Sequence, residues 1–460
     1  MLVEFVPTPT PTPRDGADGA VAPLAAAGRW LVDDLGRVVL LHGVNMVAKR
    51  DPFYPAAFGF GADDAAFLAA EGFTAVRLGI DFRGLMPTPG VVESDYVEHL
   101  AESVDAITAQ GLFVLLDFHQ DGFGPLFNGN GLPDWMAITD GLPNPPDAVF
   151  PLYYIQNPAM QRAFESFWAN RPGPGGIGLQ DYFVQGVRAV ATRFAGEPRV
   201  LGTELINEPF PGAEWMACAL QASGCPDLEQ ARLVPFYRRG AAAARAVAPR
   251  QLVFVEPFVL FNFGRADTSL PGDDGGLVLS FHSYALDAAG EESVIARAVA
   301  AAERDRRPLL CTEFGASIDP VVLERLTAGM ERGLVPWMFW AYDESIVGDL
   351  GRPAGPDNLR SPDALAALVR PYPIATAGTP TRIAFDRAAR RWQLEYDTAG
   401  PDGATYPSAV VTLVSVPVRQ YPDGYAVTVA GAAVTSAPNA PLLTLRALPG
   451  TAHVSVEIVP

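Results

Sequence analysis

Short apolar runs alternate with longer, Ala-rich segments along most of this chain, and this alternation limits the possible folds more than any other feature. Eight such runs occur, and nearly all have polar residues at or near their C-terminal end: 38–45, 75–80, 113–119, 200–209, 252–257, 277–284, 308–315 and 336–343. Strands that alternate with helices predict βαβ units and a parallel sheet. Eight such units close a (β/α)8 barrel.

A doubly wound open sheet is the alternative arrangement of strands and helices. Two observations favour the barrel. No Gly-rich phosphate-binding motif follows any of the runs. Polar residues also cluster at the C-terminal end of nearly every run, as the active-site residues of a barrel do. Helix-like stretches at 63–71, 96–110, 182–194 and 291–304 separate the runs.

The composition changes after Tyr372, where short alternating strands are separated by turns rich in Asp, Gly and Pro. This pattern predicts an antiparallel β-sandwich. We therefore divide the chain into a flexible lead-in (1–28), a catalytic barrel (29–371) and a β-sandwich (372–460). We expect the sandwich to have a packing role, although a carbohydrate-binding role is the alternative.

The net charge of −19 repels nucleic acid and anionic bilayers, so we expect no nucleic-acid partner. No apolar run is long enough to span a membrane. Cys218 and Cys225 lie in a stretch flanked by Gly and Pro, which is typical of a loop disulfide, although two free thiols are the alternative. A disulfide implies an oxidising compartment. The expected location is therefore secreted or cell-surface, without a signal peptide in this chain.

Residues at the C-terminal ends of barrel strands share one active-site mouth. The runs place there His42, Asn45, Arg77, His119, Asp121, Asn207, Glu208, Glu256, His282, Tyr284, Glu313, Trp340 and Tyr342. The list contains three of the five histidines of the chain. Lys49 is the only lysine, and its retention among so many arginines indicates either a specific need for an ammonium group or chance.

Hydrolysis of a glycosidic bond requires two carboxyl groups, one protonated and one ionised. Glu208 follows the fourth run beside Asn207, and Glu313 ends the seventh run. A carboxyl separation of about 5–5.5 Å would make the enzyme retaining. Glu204 faces the same side as Glu208 but lies deeper, so it is the main competing candidate. Glu256 fits no role in this scheme.

Several motifs occur in a fixed order: Leu-His-Gly-Val-Asn at 41–45, Val-Arg-Leu at 76–78, Asn-Glu-Pro at 207–209, His-Ser-Tyr at 282–284, Thr-Glu-Phe-Gly at 312–315, and Trp340. Together they resemble glycoside hydrolase family 5. Three longer motifs are similar to the endoglycoceramidase group of that family: Asp-Phe-His-Gln-Asp-Gly-Phe at 117–123, Gly-Asn-Gly-Leu-Pro-Asp-Trp at 129–135, and Asn-Glu-Pro-Phe-Pro-Gly at 207–212. The resemblance covers residues 30 to 460, since these enzymes also carry a C-terminal β-sandwich.

The resemblance implies a role for each matching residue. Glu208 would be the general acid/base and Glu313 the nucleophile, which Arg77 would hold ionised. Asn207 would donate to the sugar 2-hydroxyl, and Tyr284 would hydrogen-bond the nucleophile. The remaining substrate-binding residues would be Lys49, His119, Asp121, His282 and Trp340. The alternatives are purely structural roles: an ion pair for Arg77, a place in the barrel core for Trp340, and hydrogen-bonded supporting positions for His42 and His282.

The implied reaction is hydrolysis of the β-glycosidic bond between the glycan and the ceramide of a glycosphingolipid, with release of intact oligosaccharide. No cofactor or metal is implied. We expect a monomer that makes transient contact with lipid micelles or a membrane surface. The alternatives are a β-glucosidase acting on glucosylceramide or steryl glucoside, an endo-β-1,4-glucanase, and a catalytically silent glycolipid-binding protein.

A ceramide group would also need an apolar groove beside Glu208. The candidate lining residues are Phe123, Phe127, Trp135, Met136, Phe210, Trp215, Met216 and 257–261. The alternative is that these side chains pack on one another as the core of the loops.

Overall fold

The computed structural model describes residues 22–146, 150–221, 223–264, 266–270 and 276–460. Most of the lead-in expected at 1–28 therefore lies outside the described residues. Its last part is structured, because Ala25–Ala27 forms strand β1 and pairs antiparallel with β2, Trp30–Val32. Strand β2 pairs in turn with β3, Val38–Val39.

Eight parallel strands form a closed barrel, in the order in which they occur along the chain. They are β4 His42–Met46, β5 Ala75–Asp81, β6 Phe113–His119, β7 Val200–Glu204, β8 Leu252–Val255, β9 Leu277–Ser283, β10 Leu309–Gly315 and β11 Trp337–Trp340. Strand β11 pairs with β4 and closes the ring. Each predicted run contains one barrel strand, so the predicted (β/α)8 fold is confirmed.

Helices cover the outside of the barrel and form parts of its loops. Their bounds are α1 Ala62–Ala70, α2 Phe82–Leu85, α3 Ser94–Ala109, α4 Tyr153–Gln156, α5 Pro158–Trp168, α6 Leu179–Phe194, α7 Trp215–Leu220, α8 Pro226–Leu228, α9 Val234–Arg245, α10 Ala288–Asp305, α11 Pro320–Gly333 and α12 Pro362–Leu368. Local sequence explains several starts: the side chains of Asn157, Asp287 and Asp319 accept hydrogen bonds from the first helical turns. Because helices cover the barrel outside and side chains fill its interior, strands such as β5 and β6 are buried throughout.

The C-terminal region contains the remaining strands: β12 Tyr372–Thr376, β13 Thr379–Asp386, β14 Arg391–Asp397, β15 Thr412–Ser415, β16 Ala426–Ala430, β17 Ala432–Val434, β18 Leu442–Ala447 and β19 His453–Val459. They form two sheets, and the larger has the order β1-β2-β3-β12-β15-β18-β17. The predicted domain boundary therefore needs a correction. Residues 29–39 were assigned to the barrel, but β2 and β3 belong to the sandwich sheet, because β3 pairs with β12.

An apolar cluster joins the larger sandwich sheet to the N-terminal end of the barrel. The barrel contributes residues at or near the first positions of its strands, such as Ala75 and Phe113, and the sheet contributes Leu31, Ala375 and Leu413. The sandwich thus packs on the end of the barrel opposite the C-terminal ends of its strands. This position supports the packing role that we expected for it.

Polar contacts fix the two domains around this apolar cluster. The Arg370 guanidinium pairs with Glu331 of α11 at 2.6 Å and donates to the backbone oxygen of Phe385 in β13 at 3.2 Å. The Tyr372 hydroxyl donates to Oγ1 of Thr74 at 2.9 Å, and Arg419 pairs with Glu71 at 2.5 Å. Because these contacts surround the barrel floor, they hold the sandwich without approaching the barrel mouth.

The loop after β7 contains a disulfide between Cys218 and Cys225, whose Cα atoms are 4.9 Å apart. This bridge was one of the two alternatives for the cysteine pair. Cys311 is free and buried within β10. Within the described parts of the chain, no helix has the length and apolar character required to cross a membrane.

Candidate active site

Nine of the ten residues assigned to the site from the sequence lie in or just beyond the C-terminal half of a barrel strand, and Arg77 lies deeper, at the third position of β5. Strand residues are Arg77, His119, His282, Glu313 and Trp340. Loop residues that follow strands are Lys49, Asp121, Asn207, Glu208 and Tyr284. Parallel strands bring their C-terminal ends to one rim, so side chains from distant segments meet there. Their contacts form two groups, which Asp117 joins by pairing with both His119 and Arg77.

Glu208 and Glu313 face each other across this rim. One carboxylate oxygen of each, together with a ring nitrogen of His282, lies within 4.8 Å of the others. Both carboxyl groups are buried. A retaining glycosidase holds its carboxyl groups about 5–5.5 Å apart, whereas an inverting enzyme needs a wider gap for water. The spacing therefore fits direct attack on a sugar held between the two groups.

Arg77 is completely buried and organises the nucleophile side of the site. Its Nη1 atom donates to Oε1 of Glu313 at 2.5 Å and to Oδ1 of Asn45 at 2.9 Å. Its Nε atom donates to Glu204 at 2.5 Å. A buried guanidinium is tolerated only when carboxylates and hydrogen bonds satisfy it. The structural and the catalytic interpretation of Arg77 are thus compatible, because the same side chain pairs with both Glu204 and Glu313.

Tyr284 and Asn207 complete the surroundings of the nucleophile. The Tyr284 hydroxyl donates to Oε2 of Glu313 at 2.9 Å. Burial, together with the charge of Glu313, raises the pKa of Tyr284 well above its ordinary value, so the hydroxyl remains a donor. Asn207 accepts from Arg77 at 2.7 Å through Oδ1, and its Nδ2 donates to the Gln120 backbone oxygen at 2.9 Å. Because Nδ2 carries two hydrogens, one donor remains after the bond to Gln120.

Glu208 has a backbone φ of 43°, in the left-handed region that residues other than glycine rarely adopt. Such strain commonly marks functional positions. The Gln120 amide stabilises this turn, because its Nε2 donates to the backbone oxygens of Asn207 and Glu208 at 2.7 and 3.0 Å. The carboxyl group contacts Nδ1 of His282 at 2.8 Å and Nδ2 of Asn262 at 3.2 Å.

Burial, reinforced by the negative charge of Asp121, raises the pKa of Glu208 to about 7. At neutral pH a large fraction of Glu208 therefore carries a proton. Burial lowers the pKa of His282 to about 3, so its imidazole is neutral. A protonated carboxyl group opposite a carboxylate bound by Arg77 and Tyr284 is the pairing that acid-assisted displacement requires.

A second group of residues forms a polar and aromatic wall beside the carboxyl pair. Lys49 Nζ lies 2.6 Å from Oδ2 of Asp121 and 4.4 Å from the centre of the Trp340 ring. His119 stacks on Trp340 with ring centres 5.2 Å apart. An exposed aromatic face with charged hydrogen-bonding groups around it suits a sugar ring. Trp340 is half-buried rather than part of the barrel core.

Charge balance in this wall depends on His119. Burial opposes the charged imidazole, but Asp117, at 2.8 Å from Nδ1, raises the pKa of His119 to about 9. Lys49 and His119 together outweigh burial and lower the pKa of Asp121 below its ordinary range. The Asp121 carboxylate is therefore paired with both cations, at 2.6 Å from Lys49 and 3.5 Å from His119, and it accepts a hydrogen bond from Asn130 Nδ2 at 2.7 Å.

The competing candidates lie outside the catalytic position. Glu204 is fully buried below the rim, where it binds Arg77 and accepts from Thr312 at 3.1 Å. His42 stacks between Trp337 and Tyr372, with ring centres 4.2 and 3.6 Å away, and therefore belongs to the contact with the sandwich. Neither side chain is placed to reach a sugar at the mouth.

Glu208, His282 and Glu313 are also the one group of side chains in the described residues that could jointly offer three ligands to a metal ion. The buried guanidinium of Arg77 opposes this, because it stands 2.5 Å from Glu313 and repels a cation. Tyr284 already donates to the same carboxylate. The donor set therefore fits a hydrogen-bonded carboxyl pair better than a metal centre.

Four residues with roles in the site were not singled out from the sequence: Asp117, Gln120, Asn130 and Asn262. Asp117 and Gln120 lie inside a motif that was noticed, so their polarity next to His119 was an available signal. Asn262 follows the apolar residues 257–261. A lone amide after such a run was a second available signal. Asn130 lies inside the motif at 129–135, but no periodic pattern relates it to Asp121.

The apolar groove predicted beside Glu208 was largely wrong. Among its proposed lining residues, those buried in the core are Phe123, Phe127, Met136, Phe210, Phe258, Val259 and Phe261. They pack on one another and on α5, for example Phe123 on Phe164 with ring centres 5.1 Å apart. Trp215 is partly buried and Met216 is exposed. The alternative, a core formed within the loops, therefore holds for most of this set.

A buried carboxyl pair of this spacing at the mouth of a (β/α)8 barrel defines a glycoside hydrolase. The model of the cellulase family (glycosyl hydrolase family 5) matches residues 41–345, and the model of the glycoside hydrolase family 5 C-terminal domain matches residues 370–458. The chain belongs to glycoside hydrolase family 5. The resemblance seen in its motifs is thereby confirmed.

The chain is similar to endoglycoceramidase I of Rhodococcus hoagii, with 34% identity over 95% of this chain and 88% of the relative. It is 29% identical to the endoglycoceramidase of Hydra vulgaris over 80% of this chain and 76% of that one. Among solved structures, the lactosyl-enzyme intermediate of endo-glycoceramidase II from Rhodococcus sp. matches with a TM-score of 0.76 and 28% identity, covering 94% of this chain and 99% of that chain. The ganglioside GM3 complex of the same enzyme matches with a TM-score of 0.74.

Proposed function

We propose that this enzyme hydrolyses the β-glycosidic bond between the glycan and the ceramide of glycosphingolipids and releases the oligosaccharide intact. The main support for this substrate is the similarity to endoglycoceramidases over both domains, with 34% identity to the Rhodococcus hoagii enzyme. The carboxyl pair of Glu208 and Glu313 supports hydrolysis of a glycosidic bond as the reaction. A solved relative that forms a lactosyl-enzyme intermediate supports a covalent route.

In the proposed first step, Glu313 attacks the anomeric carbon while Glu208 transfers its proton to the departing ceramide oxygen. The glycan is then held covalently on Glu313, and Glu208 is ionised. In the second step, Glu208 removes a proton from water, whose oxygen attacks the anomeric carbon and releases Glu313. Asn207 would bind the 2-hydroxyl, and the wall of Lys49, His119, Asp121 and Trp340 would hold the sugar next to the cleaved bond.

Analysis of the products from lactosylceramide distinguishes this reaction from those of a β-glucosidase and an endo-β-1,4-glucanase. The proposal predicts lactose and ceramide as the first products, identified by mass spectrometry. A glucosidase of the same fold would show no action on this substrate until its outer sugar is removed, and would then give free glucose. Cleavage of cellulose oligosaccharides with lactosylceramide left intact would favour an endo-β-1,4-glucanase.

We propose transient contact between the barrel mouth and a lipid surface. Large apolar side chains are exposed on several loops that follow barrel strands: Leu126, Phe150, Leu152, Met216, Leu220, Phe263, Leu286 and Ile318. Leu220 is 81% exposed and Leu286 is 91% exposed. Exposed apolar groups on one face commonly mark a binding surface. The net charge of −19 favours a neutral over an anionic lipid surface.

Flotation with neutral phosphatidylcholine vesicles tests this contact. The Leu220→Ser and Leu286→Ser double variant is expected to bind the vesicles less than the wild type does, with unchanged activity on a soluble aryl lactoside. Leu442→Ser is the matched control, because this leucine is 39% exposed on the sandwich. Equal vesicle binding by all three proteins would contradict the proposal.

Two further expectations are kept as proposals. The Cys218–Cys225 disulfide supports an oxidising location, hence secretion or the cell surface. The chain is proposed to act as a monomer, so light scattering is expected to give a mass near 49.0 kDa. A doubled mass would contradict the monomer. Free thiols at Cys218 and Cys225 in the protein isolated from its natural source would contradict the oxidising location.

A further inference from the structure

Glu256 is a buried acid that the proposed reaction does not use. It immediately follows β8, and its side chain is fully buried. Neither carboxyl oxygen has a hydrogen-bond partner within the described residues. The Tyr237 hydroxyl donates to the Glu256 backbone oxygen at 2.6 Å, so the backbone is fixed while the carboxyl group is not satisfied. A buried polar group in this state requires an explanation.

The group facing Glu256 is His282. Oε1 of Glu256 lies 3.4 Å from Nε2 of His282, which itself lacks a hydrogen-bond partner among the described residues. On the other side of the same ring, Nδ1 is 2.8 Å from Oε1 of Glu208 and 3.5 Å from Oε2 of Glu313. The imidazole therefore stands between Glu256 and the catalytic carboxyl pair.

A neutral imidazole carries one proton, so one nitrogen donates and the other accepts. If Glu256 were ionised, it would attract the proton to Nε2, and Nδ1 would present a lone pair to Glu208. If Glu256 carries a proton, it donates to Nε2, and the imidazole proton is on Nδ1. The protonation state of Glu256 thus determines whether His282 donates to Glu208.

We propose that Glu256 is a positioning residue that stays protonated and donates to Nε2 of His282, which fixes the tautomer whose Nδ1 donates to Glu208. The inference rests on the role of Glu208 in the proposed function. In this tautomer His282 holds one oxygen of Glu208, and the other oxygen is left to exchange a proton with the departing group or with water. The same hydrogen bond stabilises the carboxylate formed when Glu208 releases its proton. Glu256 keeps its own proton through both steps.

The charges around Glu256 support the protonated form. The groups that face it are Glu204 and Glu208 from β7 and its loop, Glu313 on β10, His282 on β9 and Arg77 on β5. Complete burial, followed by the charge of Glu204, raises the pKa of Glu256 well above its ordinary value. Arg77 opposes this from 3.8 Å, but the nitrogen nearest Glu256, Nη2, already donates to Asn207 at 2.7 Å and lies 3.1 Å from Asp117.

Nitrogen NMR on the resting enzyme tests the tautomer without any turnover. The chain has five histidines, so ¹⁵N-histidine labelling gives a small set of imidazole signals. The His282 signals are those that a His282→Asn variant lacks. Near neutral pH we expect the proton on Nδ1 and a lone pair on Nε2. A proton on Nε2 would overturn the inference, whatever substrate the enzyme prefers.

Two substitutions of Glu256 provide a second test. Glu256→Gln supplies an uncharged donor of the same shape, so the high-pH limb of kcat/KM for lactosylceramide is expected to stay in place. Glu256→Leu removes the donor, and we expect kcat/KM to fall by about tenfold, the size of one hydrogen bond, with the limb moved to higher pH. Glu229→Gln is the matched control, because Glu229 is a comparably buried acid that binds Thr268 at 3.1 Å outside the site.

The contrary outcomes are distinct. A limb that moves to lower pH in Glu256→Gln would show that a negative charge had been removed, and would overturn the inference. Wild-type kinetics in a folded Glu256→Leu variant would overturn it as well. If the Leu variant does not fold, the Gln variant and the NMR measurement still test whether Glu256 is protonated and donates to His282.

Discussion

Nη1 of Arg77 and Oε1 of Glu313 lie 2.5 Å apart, although 236 residues separate the two side chains in the chain. The contact joins strand β5 to strand β10 across the barrel interior. It fixes one oxygen of Glu313, while Tyr284 binds the other. The nucleophile is therefore oriented by two donors before any substrate arrives, which is the preorganisation that covalent catalysis requires.

Replacement of Glu313 by alanine is expected to abolish turnover while the fold remains intact. The loss of the nucleophile removes the covalent step, so we expect kcat to fall by at least about 10⁴-fold. Initial rates on lactosylceramide, together with thermal unfolding, provide the measurement. Glu204→Ala is not a suitable control, because it leaves a buried Arg77 partly unpaired; Glu229→Gln serves instead. Substantial residual turnover would place the nucleophile on another side chain.

Replacement of Glu208 by alanine is expected to depend on the leaving group. For a ceramide leaving group, which needs a proton, the rate should fall by about 10²–10⁴-fold. An aryl glycoside with an acidic phenol departs without help, so its first step should be far less affected. Parallel rate measurements on lactosylceramide and a dinitrophenyl lactoside give the comparison. An equal loss on both substrates would contradict the role of proton donor.

The pH dependence of kcat/KM should follow the protonation of Glu208. Because the pKa of this acid is raised to about 7, the protonated form decreases above that pH, and kcat/KM should fall with it. Asp121→Asn removes a negative charge that raises this pKa, so the high-pH limb should move to lower pH. Glu214→Gln, which alters an exposed acid, is the control. A limb that is unchanged by Asp121→Asn would argue against Glu208 as the titrating group.

Lys49 is expected to be irreplaceable by arginine. Its ammonium group fits between Asp121 and the face of Trp340, where a planar guanidinium needs more space. Lys49→Arg and Lys49→Ala should each lower kcat/KM by on the order of tenfold to a hundredfold, the size of a hydrogen bond to a charged group. Arg50→Lys is the neighbouring control. Wild-type kinetics in Lys49→Arg would show that the lone lysine is not required.

Reduction of the Cys218–Cys225 bridge should loosen the loop that carries Trp215 and Met216. On the chain-entropy estimate a bridge that closes so short a loop contributes about 2 kcal/mol. A Cys218→Ser and Cys225→Ser double variant should therefore unfold at a lower temperature, while its kcat on a soluble aryl lactoside remains unchanged. Calorimetry and rate measurements check both parts. An unchanged melting temperature would show that the bridge adds no stability.

The barrel could be predicted because its strands are buried on both faces, which makes each strand a continuous apolar run in the sequence. The N-terminal strands β2 and β3 could not be assigned in the same way. Short apolar segments such as 30–32 and 38–39 carry no information about which sheet they join. Strand β3 pairs with β12, which is more than 300 residues further along the chain, and only the fold brings the two together.

The site was predictable to the extent that its residues end strands, because parallel strands converge at one rim. The side chains that support Glu208 could be suspected from their polarity but not paired with it, because Gln120 and Asn262 lie in loops whose lack of periodicity does not show which group each side chain faces. The aromatic residues of those loops were misjudged for a related reason. A side chain such as Phe123 is equally apolar in a groove or in a core, and only its contact with Phe164 decides between them.

Trapping the covalent intermediate on Glu313 tests the proposed double displacement most directly. A 2-deoxy-2-fluoro lactoside with a good leaving group should form a glycosyl-enzyme that decays slowly, and peptide mass spectrometry should locate the fluorolactosyl group. We predict one adduct, on the peptide that contains Glu313, with loss of activity in proportion to its formation. An adduct on Glu204 or Glu208, or inactivation without any adduct, would contradict the proposed chemistry.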